Sequence, residues 1–213
     1  MTVPGVCGRG LVDESARGHA APPGRGPDGA AGHRWAVVGG LAVGARAEPR
    51  TTRDVDVAVR VATDAEAERL VQALQGGGYK VLGVVEHDLA ARLATARLSA
   101  PPADGNGIVV DLLFASSGIE PEIVAAAEAI ELVPHLIVPV ARLGHLLALK
   151  VLARDDRQRP QDWDDIRALL REARDSDLDE ARAALYLIAE RGFHRGKSLL
   201  RELDEVVKQL GKE

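Results

Sequence analysis

The sequence predicts an α/β (α+β) protein: a small mixed β-sheet flanked by helices, followed by a helical C-terminal region. Three observations carry that reading. From Asp54 to Val61 the chain alternates strictly, with Val55, Val57, Val59 and Val61 on one face and Asp54, Asp56, Ala58 and Arg60 on the other. Residues 108–114, IVVDLLF, form an apolar run of strand length. Beyond residue 142 apolar residues recur at helical spacing, predicting helices over 142–154, 160–174, 178–191 and 195–210. Strands mixed with helices first, and helices alone afterwards, give that order of layers.

The elements follow in turn. Residues 1–33 are dominated by Gly, Pro, Ala and Arg without periodicity, and read as a disordered leader. Trp35–Val38 reads as a short buried strand closed by Gly39-Gly40, and LAVGARA as one or two turns of helix. After the alternating strand, Thr63 or Asp64 caps a helix to about Gln75, which the glycines at 76–78 end. YKVLGVVE is strand-like, PPADGNG is a loop, a helix is predicted over 120–130 and a strand near 136–140. The domain boundaries are therefore 1–33 for the leader, 34–141 for the core and 142–213 for the helical region.

Composition narrows the function classes. Of the 213 residues 46% are hydrophobic and only 3% aromatic, so the core is built of Val, Leu, Ile and Ala. A net charge of −5 argues against a strongly basic nucleic-acid binder. The single cysteine, Cys7, excludes a disulfide framework and a cysteine zinc site, and the six histidines form no HExxH pair. No apolar run approaches the roughly 20 residues that span a bilayer. A soluble cytoplasmic protein with no membrane partner is expected.

Three carboxylates stand out. Asp54 and Asp56 lie on one face of a strand, roughly 7 Å apart along it. Their plain reading is the solvated face of an edge strand. Asp111 lies between Val110 and Leu112 in a strand apolar on both faces, where an isolated ionised carboxylate is expensive. It is either hydrogen-bonded for structure, paired with a cation, or placed for chemistry. If the two strands pair, the three carboxylates meet, which suits oxygen-seeking divalent cations such as magnesium. Gly39-Gly40, a plain turn on the simpler reading, offers unhindered N–H groups and a helix N-terminus to a polyphosphate. Phosphate at one place and metal at another is equipment for phosphoryl or nucleotidyl transfer. Lys150 sits in the middle of the apolar face formed by Leu143, Leu146, Leu147, Val151 and Ala153. It is a snorkelling lysine, a structural ion pair, or an ammonium aimed at a triphosphate. On the last reading, Lys150→Met is expected to keep or raise stability while weakening nucleotide binding. Asp162 and Asp165, at i, i+3 near a helix start, read equally as caps or ion-pair partners of Arg157 and as catalytic carboxylates. Arg50 is a loop cation that is either solvated or bound to phosphate.

Val38-Gly39-Gly40, Asp54-Val55-Asp56 and the later Asp111 resemble, residue by residue, the signature of the DNA polymerase beta-like nucleotidyltransferase superfamily. GGLAV followed by Arg50, Thr52, Asp54 and Asp56 is similar to its AbiEii/MenT branch, the nucleotidyltransferase-like toxins of toxin–antitoxin systems. The stretch LLALKVLARDDRQRPQDWDDIRALL adds Lys150, Arg157, Arg159, Asp162 and Asp165-Ile166 at the places where that branch carries a helical lysine, an Arg-rich turn and D-x-x-D-I. The resemblance spans about residues 35–172.

It implies a nucleotidyltransferase fold and transfer of a nucleoside monophosphate from an NTP to an acceptor hydroxyl with release of pyrophosphate. Asp54, Asp56 and Asp111 would hold two Mg2+ ions, with Asp111 also as general base. Gly39, Gly40, Arg50, Thr52 and Lys150 would contact the nucleotide, ATP being the expected type. Expected partners are the NTP, an acceptor that is tRNA, other RNA or protein, and a cognate antitoxin. The alternatives are an aminoglycoside-type small-molecule acceptor and a non-catalytic nucleotide-binding or interaction module on the same fold. Metal-dependent phosphoester hydrolysis ranks below these, because no histidine accompanies the carboxylates.

Overall fold

The computed structural model describes residues 34–49, 51–87, 92–101, 107–155 and 160–210. The predicted leader, Arg50, Arg157 and Arg159 lie outside them. The chain runs β1 (Trp35–Val38), α1 (Gly39–Arg46), β2 (Asp54–Val59), α2 (Asp64–Gly76), β3 (Lys80–His87), β4 (Arg92–Ser99), β5 (Val109–Leu113), α3 (Glu120–Ala126), β6 (Glu128–Val133), β7 (Leu136–Val140), α4 (Leu143–Ala153), α5 (Pro160–Glu172), α6 (Asp175–Glu190) and α7 (Leu199–Gln209).

The strands form one mixed sheet in the order β3-β4-β5-β2-β1-β7-β6. β2 runs antiparallel to β1 and parallel to β5, so the two carboxylate-bearing strands are direct neighbours at the middle of the sheet. The valine face of β2 packs with Leu98, Leu112 and Phe114 into a core under Ala67 of α2. The opposite face is buried at Ala36, Val38 and Ala58 by the helical layer and opens at Asp54. Alternation in β2 therefore marks two covered faces, with polar residues only where the helices stop.

Helix α2 starts at Thr63, whose hydroxyl accepts from the Glu66 N–H at 3.3 Å, while Glu66 Oε2 accepts from the Ala62 N–H at 2.9 Å. α7 buries Leu199, Leu203, Val206 and Val207, one stripe at helical spacing. α4 differs from its prediction. The expected single apolar face is in fact burial nearly all round, because α1, α5, α6 and α7 all pack against it. Lys150 is thus inside the helical layer.

Several boundaries also differ: β2 ends at Val59 rather than Val61, and α6 begins at Asp175 rather than 178. The helix predicted over 120–130 ends at Ala126, and Glu128–Val133 pairs with β7 as an edge hairpin. Its helix-favouring Glu, Ala and Leu are overruled by pairing along an edge strand, where side chains alternate between exposed and half-buried. The helix predicted from 195 begins at Leu199, because Gly192, Arg195 and Gly196 take positive φ in a turn before it. Among the described residues no helix is long and apolar enough to cross a membrane.

Candidate active site

The end of β1 turns directly into α1 at Gly39, which has φ +63°. A Cβ at that position would stand 1.8 Å from Asp56 Oδ2 and 2.8 Å from Asp56 Cβ. Glycine is required there twice, for its backbone and for the space that Asp56 occupies. Gly40 is buried in the first turn of α1. Helix and carboxylate therefore meet through a contact that only a backbone can make.

Across the sheet, Asp56 pairs in register with Asp111 of β5, and on its other side with Val38 of β1. In-register neighbours point to the same face, so Asp54, Asp56 and Asp111 share one. Thr52 stands before β2 with its hydroxyl 3.0 Å from Asp54 Oδ1 and 3.1 Å from the Asp54 carbonyl, holding the carboxylate at the strand entrance. Burial pushes the Asp111 carboxyl above the usual carboxylate range; Arg97 opposes this and the Asp54 charge adds to it.

The sheet brings the three carboxylates together, but their side chains do not yet converge. Among the described residues no three His, Cys, Asp or Glu side chains stand close enough to hold one ion as they are placed. A cation from β4 lies over them. Arg97 pairs in register with Asp111 and extends over the carboxylates, with Nη2 3.4 Å from Asp54 Oδ2 and Nε 3.6 Å from Asp111 Oδ1. Two of the three side chains face this guanidinium. The donor chemistry still fits a divalent cation: the carboxylate oxygens share a face, and Asp111 Oδ1 is buried without a hydrogen-bond partner among the described residues.

Lys150 enters from the other side. It lines an open cleft of about 150 Å3 with Gly39, Asp56, Ser116 and Arg195. Its ammonium also lies 2.9 Å from Asp162 Oδ1 and 2.8 Å from Asp165 Oδ2, two carboxylates that are 0% and 2% exposed. Both aspartates thus pair with Lys150, while Arg157, the partner expected for them, lies outside the described residues. That reverses the expectation for Lys150→Met, because the substitution breaks two buried ion pairs. A larger cleft of about 470 Å3 lies between α6 and α7, lined by Asp175, Asp179, Arg182 and Asp204, and no predicted site residue reaches it.

Two residues of the site had escaped the sequence reading. Arg97 belongs to the polar face of β4, whose other face buries Ala94, Ala96 and Leu98. The alternation of RLATARLS carries that signal, but not the strand it faces. Arg195 takes a left-handed backbone, φ 53°, and its Nη2 donates to the Ser116 carbonyl at 3.2 Å. Its turn is fastened by Lys197, which donates to the carbonyls of Leu152 and Arg154. Ser116 itself is held by buried Glu120, whose Oε1 accepts from the Ser116 and Ser117 N–H groups at 2.9 and 2.7 Å.

A glycine turn, a facing pair of carboxylates and a buried lysine now stand on one site, and comparison with known proteins identifies its family. The model of the nucleotidyl transferase AbiEii toxin family, a type IV toxin–antitoxin system, matches residues 25–211. The chain belongs to the AbiEii nucleotidyltransferase toxin family. The match extends beyond the resemblance read at 35–172 and takes in all seven helices named above. This AbiEii-family chain is a nucleotidyltransferase, and its toxin–antitoxin family implies a cognate antitoxin. Among solved structures it is similar to an antigenic nucleotidyltransferase-like protein from Paracoccidioides brasiliensis, at 16% identity and a TM-score of 0.42, over 82% of this chain and 84% of that one. No curated protein matches it.

Proposed function

We propose that this AbiEii-family protein transfers a nucleoside monophosphate from an NTP to a hydroxyl of RNA or protein, in a magnesium-dependent reaction that arrests the cell unless its antitoxin intervenes. The observation that carries the proposal is the in-register pairing of Asp56 with Asp111 beside the Gly39 turn. Bound at Asp54, Asp56 and Asp111, magnesium would supply charge neutralisation for the triphosphate and acidify the acceptor hydroxyl.

The chain's own residues do the rest. The N-terminus of α1, opened at Gly39 and Gly40, directs N–H groups toward the phosphates. Asp111 takes the proton of the acceptor hydroxyl, whose oxygen attacks the α-phosphorus as the bond to pyrophosphate breaks. Thr52 orients Asp54. Lys150 and Arg195, both lining the cleft beside Asp56, offset charge that develops on the phosphates. Arg50 is assigned to the same phosphates by family resemblance. In the same proposal residues 34–141 form the catalytic core and 142–213 a helical region that contributes Lys150.

The test incubates the full chain with magnesium, each α-labelled NTP in turn, and total RNA, bacterial protein or an aminoglycoside as acceptor. Label on RNA or protein, with release of pyrophosphate, is expected. Label on the aminoglycoside alone would replace the acceptor class. No transfer to any acceptor, and no self-labelling, would overturn the proposal.

A further inference from the structure

We infer that Arg97 is an internal counter-cation that a divalent metal must displace, so that the carboxylate site loads bare metal poorly and loads it well with nucleotide. This rests on the metal-dependent reading above. Arg97 starts on β4 and reaches across β5 to Asp54 on β2, about 10 Å of sheet at the usual strand spacing. Thr52 engages Asp54 Oδ1, and Arg97 faces the other oxygen, Oδ2. On Asp111 the guanidinium approaches Oδ1, the buried oxygen without a hydrogen-bond partner. The two atoms that Arg97 faces are therefore the oxygens that Asp54 and Asp111 have left for an ion.

The grip is loose by design of distance and exposure. At 3.4 and 3.6 Å the contacts lie at the outer limit of ion-pair geometry, and the arginine side chain is half exposed. Such a cation offsets repulsion between Asp54 and Asp111 in the metal-free protein, yet can swing into solvent. Bare metal has to compete with it for both carboxylates. Metal arriving with a triphosphate brings anionic oxygens of its own, to which a long, flexible guanidinium can transfer. The competition is then relieved only by the nucleotide complex.

The experiment measures binding of Mn2+ to the full-length protein by equilibrium dialysis, with and without a non-hydrolysable NTP. Protein-bound metal is counted as the excess over the protein-free compartment at the same free nucleotide. Parent, Arg97→Gln, Arg97→Lys and Asp56→Asn are compared, and circular dichroism verifies that each is folded. From the ordinary strength of two partly exposed ion pairs, Arg97→Gln should bind bare Mn2+ about three- to tenfold more tightly than the parent. The gain should vanish when the nucleotide is present, and Arg97→Lys should stay within about twofold of the parent. A parent that binds Mn2+ through Asp56, with Arg97→Gln no tighter, overturns the role of Arg97 and leaves the metal reading standing. Absence of Mn2+ binding in both the parent and Arg97→Gln, with nucleotide present, overturns both.

Discussion

Gly39 and Asp56 occupy one another's space: the hydrogen that glycine carries in place of a side chain faces the Asp56 carboxylate, where a methyl carbon would come within 1.8 Å of Oδ2. This contact joins the end of β1, the start of α1 and the middle of the sheet at a single point.

It follows that Gly39→Ala is costly twice over. The positive φ alone costs an alanine about 1–2 kcal/mol, and Asp56 must also move, since its Cβ as well as its oxygen lies too close. Chemical denaturation should show a loss of at least that size. Nucleotidyl transfer should fall further than the folded fraction does, because the displaced group is a carboxylate of the site.

Lys150 should prove structural as well as functional. Removing it takes the Lys150 charge away from two buried carboxylates, Asp162 and Asp165, and breaking a buried ion pair in this way costs about 3–5 kcal/mol. Lys150→Met should therefore unfold at much lower denaturant than the parent. Adding Asp162→Asn and Asp165→Asn to the same chain should recover much of the loss without restoring transfer. A Lys150→Met protein as stable as the parent would contradict the ion-pair arrangement.

His145 gives the fold an acid-sensitive point away from the carboxylates. Burial inside α4 lowers its pKa from 6.5 to about 4, Arg142 adds to the effect and Glu122 opposes it. The folded value lies below the unfolded one, so stability from holding the ring neutral is complete above about pH 6.5 and is lost as pH falls toward 4. The full loss is on the order of 3 kcal/mol. Asp111 and Glu180 have carboxyls pushed upward by burial, and contribute with the opposite sign. Denaturation of parent and His145→Leu at several pH values between 7.5 and 4.5 separates the two. The parent should lose stability more steeply, and equal slopes would contradict a buried neutral His145.

The parts of this site legible in the sequence are those whose cause is local. Valine alternation placed β2, and an aspartate inside IVVDLLF marked Asp111, because a carboxylate between apolar neighbours must answer to something outside its own strand. What it answers to was not local. Arg97 meets Asp111 only because β4 and β5 pair in one register, and a single-residue slip would turn it to the α2 face. Lys150 read as an oddity on an apolar face, yet its bond to Asp162 depends on how α5 packs against α4. Arg195 is set by a turn whose two glycines are visible but whose destination, the Ser116 carbonyl, is not. β6 was misread because an edge strand draws its order from its partner, while its composition favours helix.

The claim that Asp56 belongs to a metal–triphosphate site is tested most directly by thermal melts of the parent and Asp56→Asn, each with and without magnesium and NTP. Ligand that binds only the folded state stabilises it by about 2.7 kcal/mol at a hundredfold excess over Kd. The parent should gain stability of that order from magnesium and NTP together, and Asp56→Asn, still folded, should gain none. An Asp56→Asn protein that responds to magnesium and NTP as fully as the parent would contradict the account.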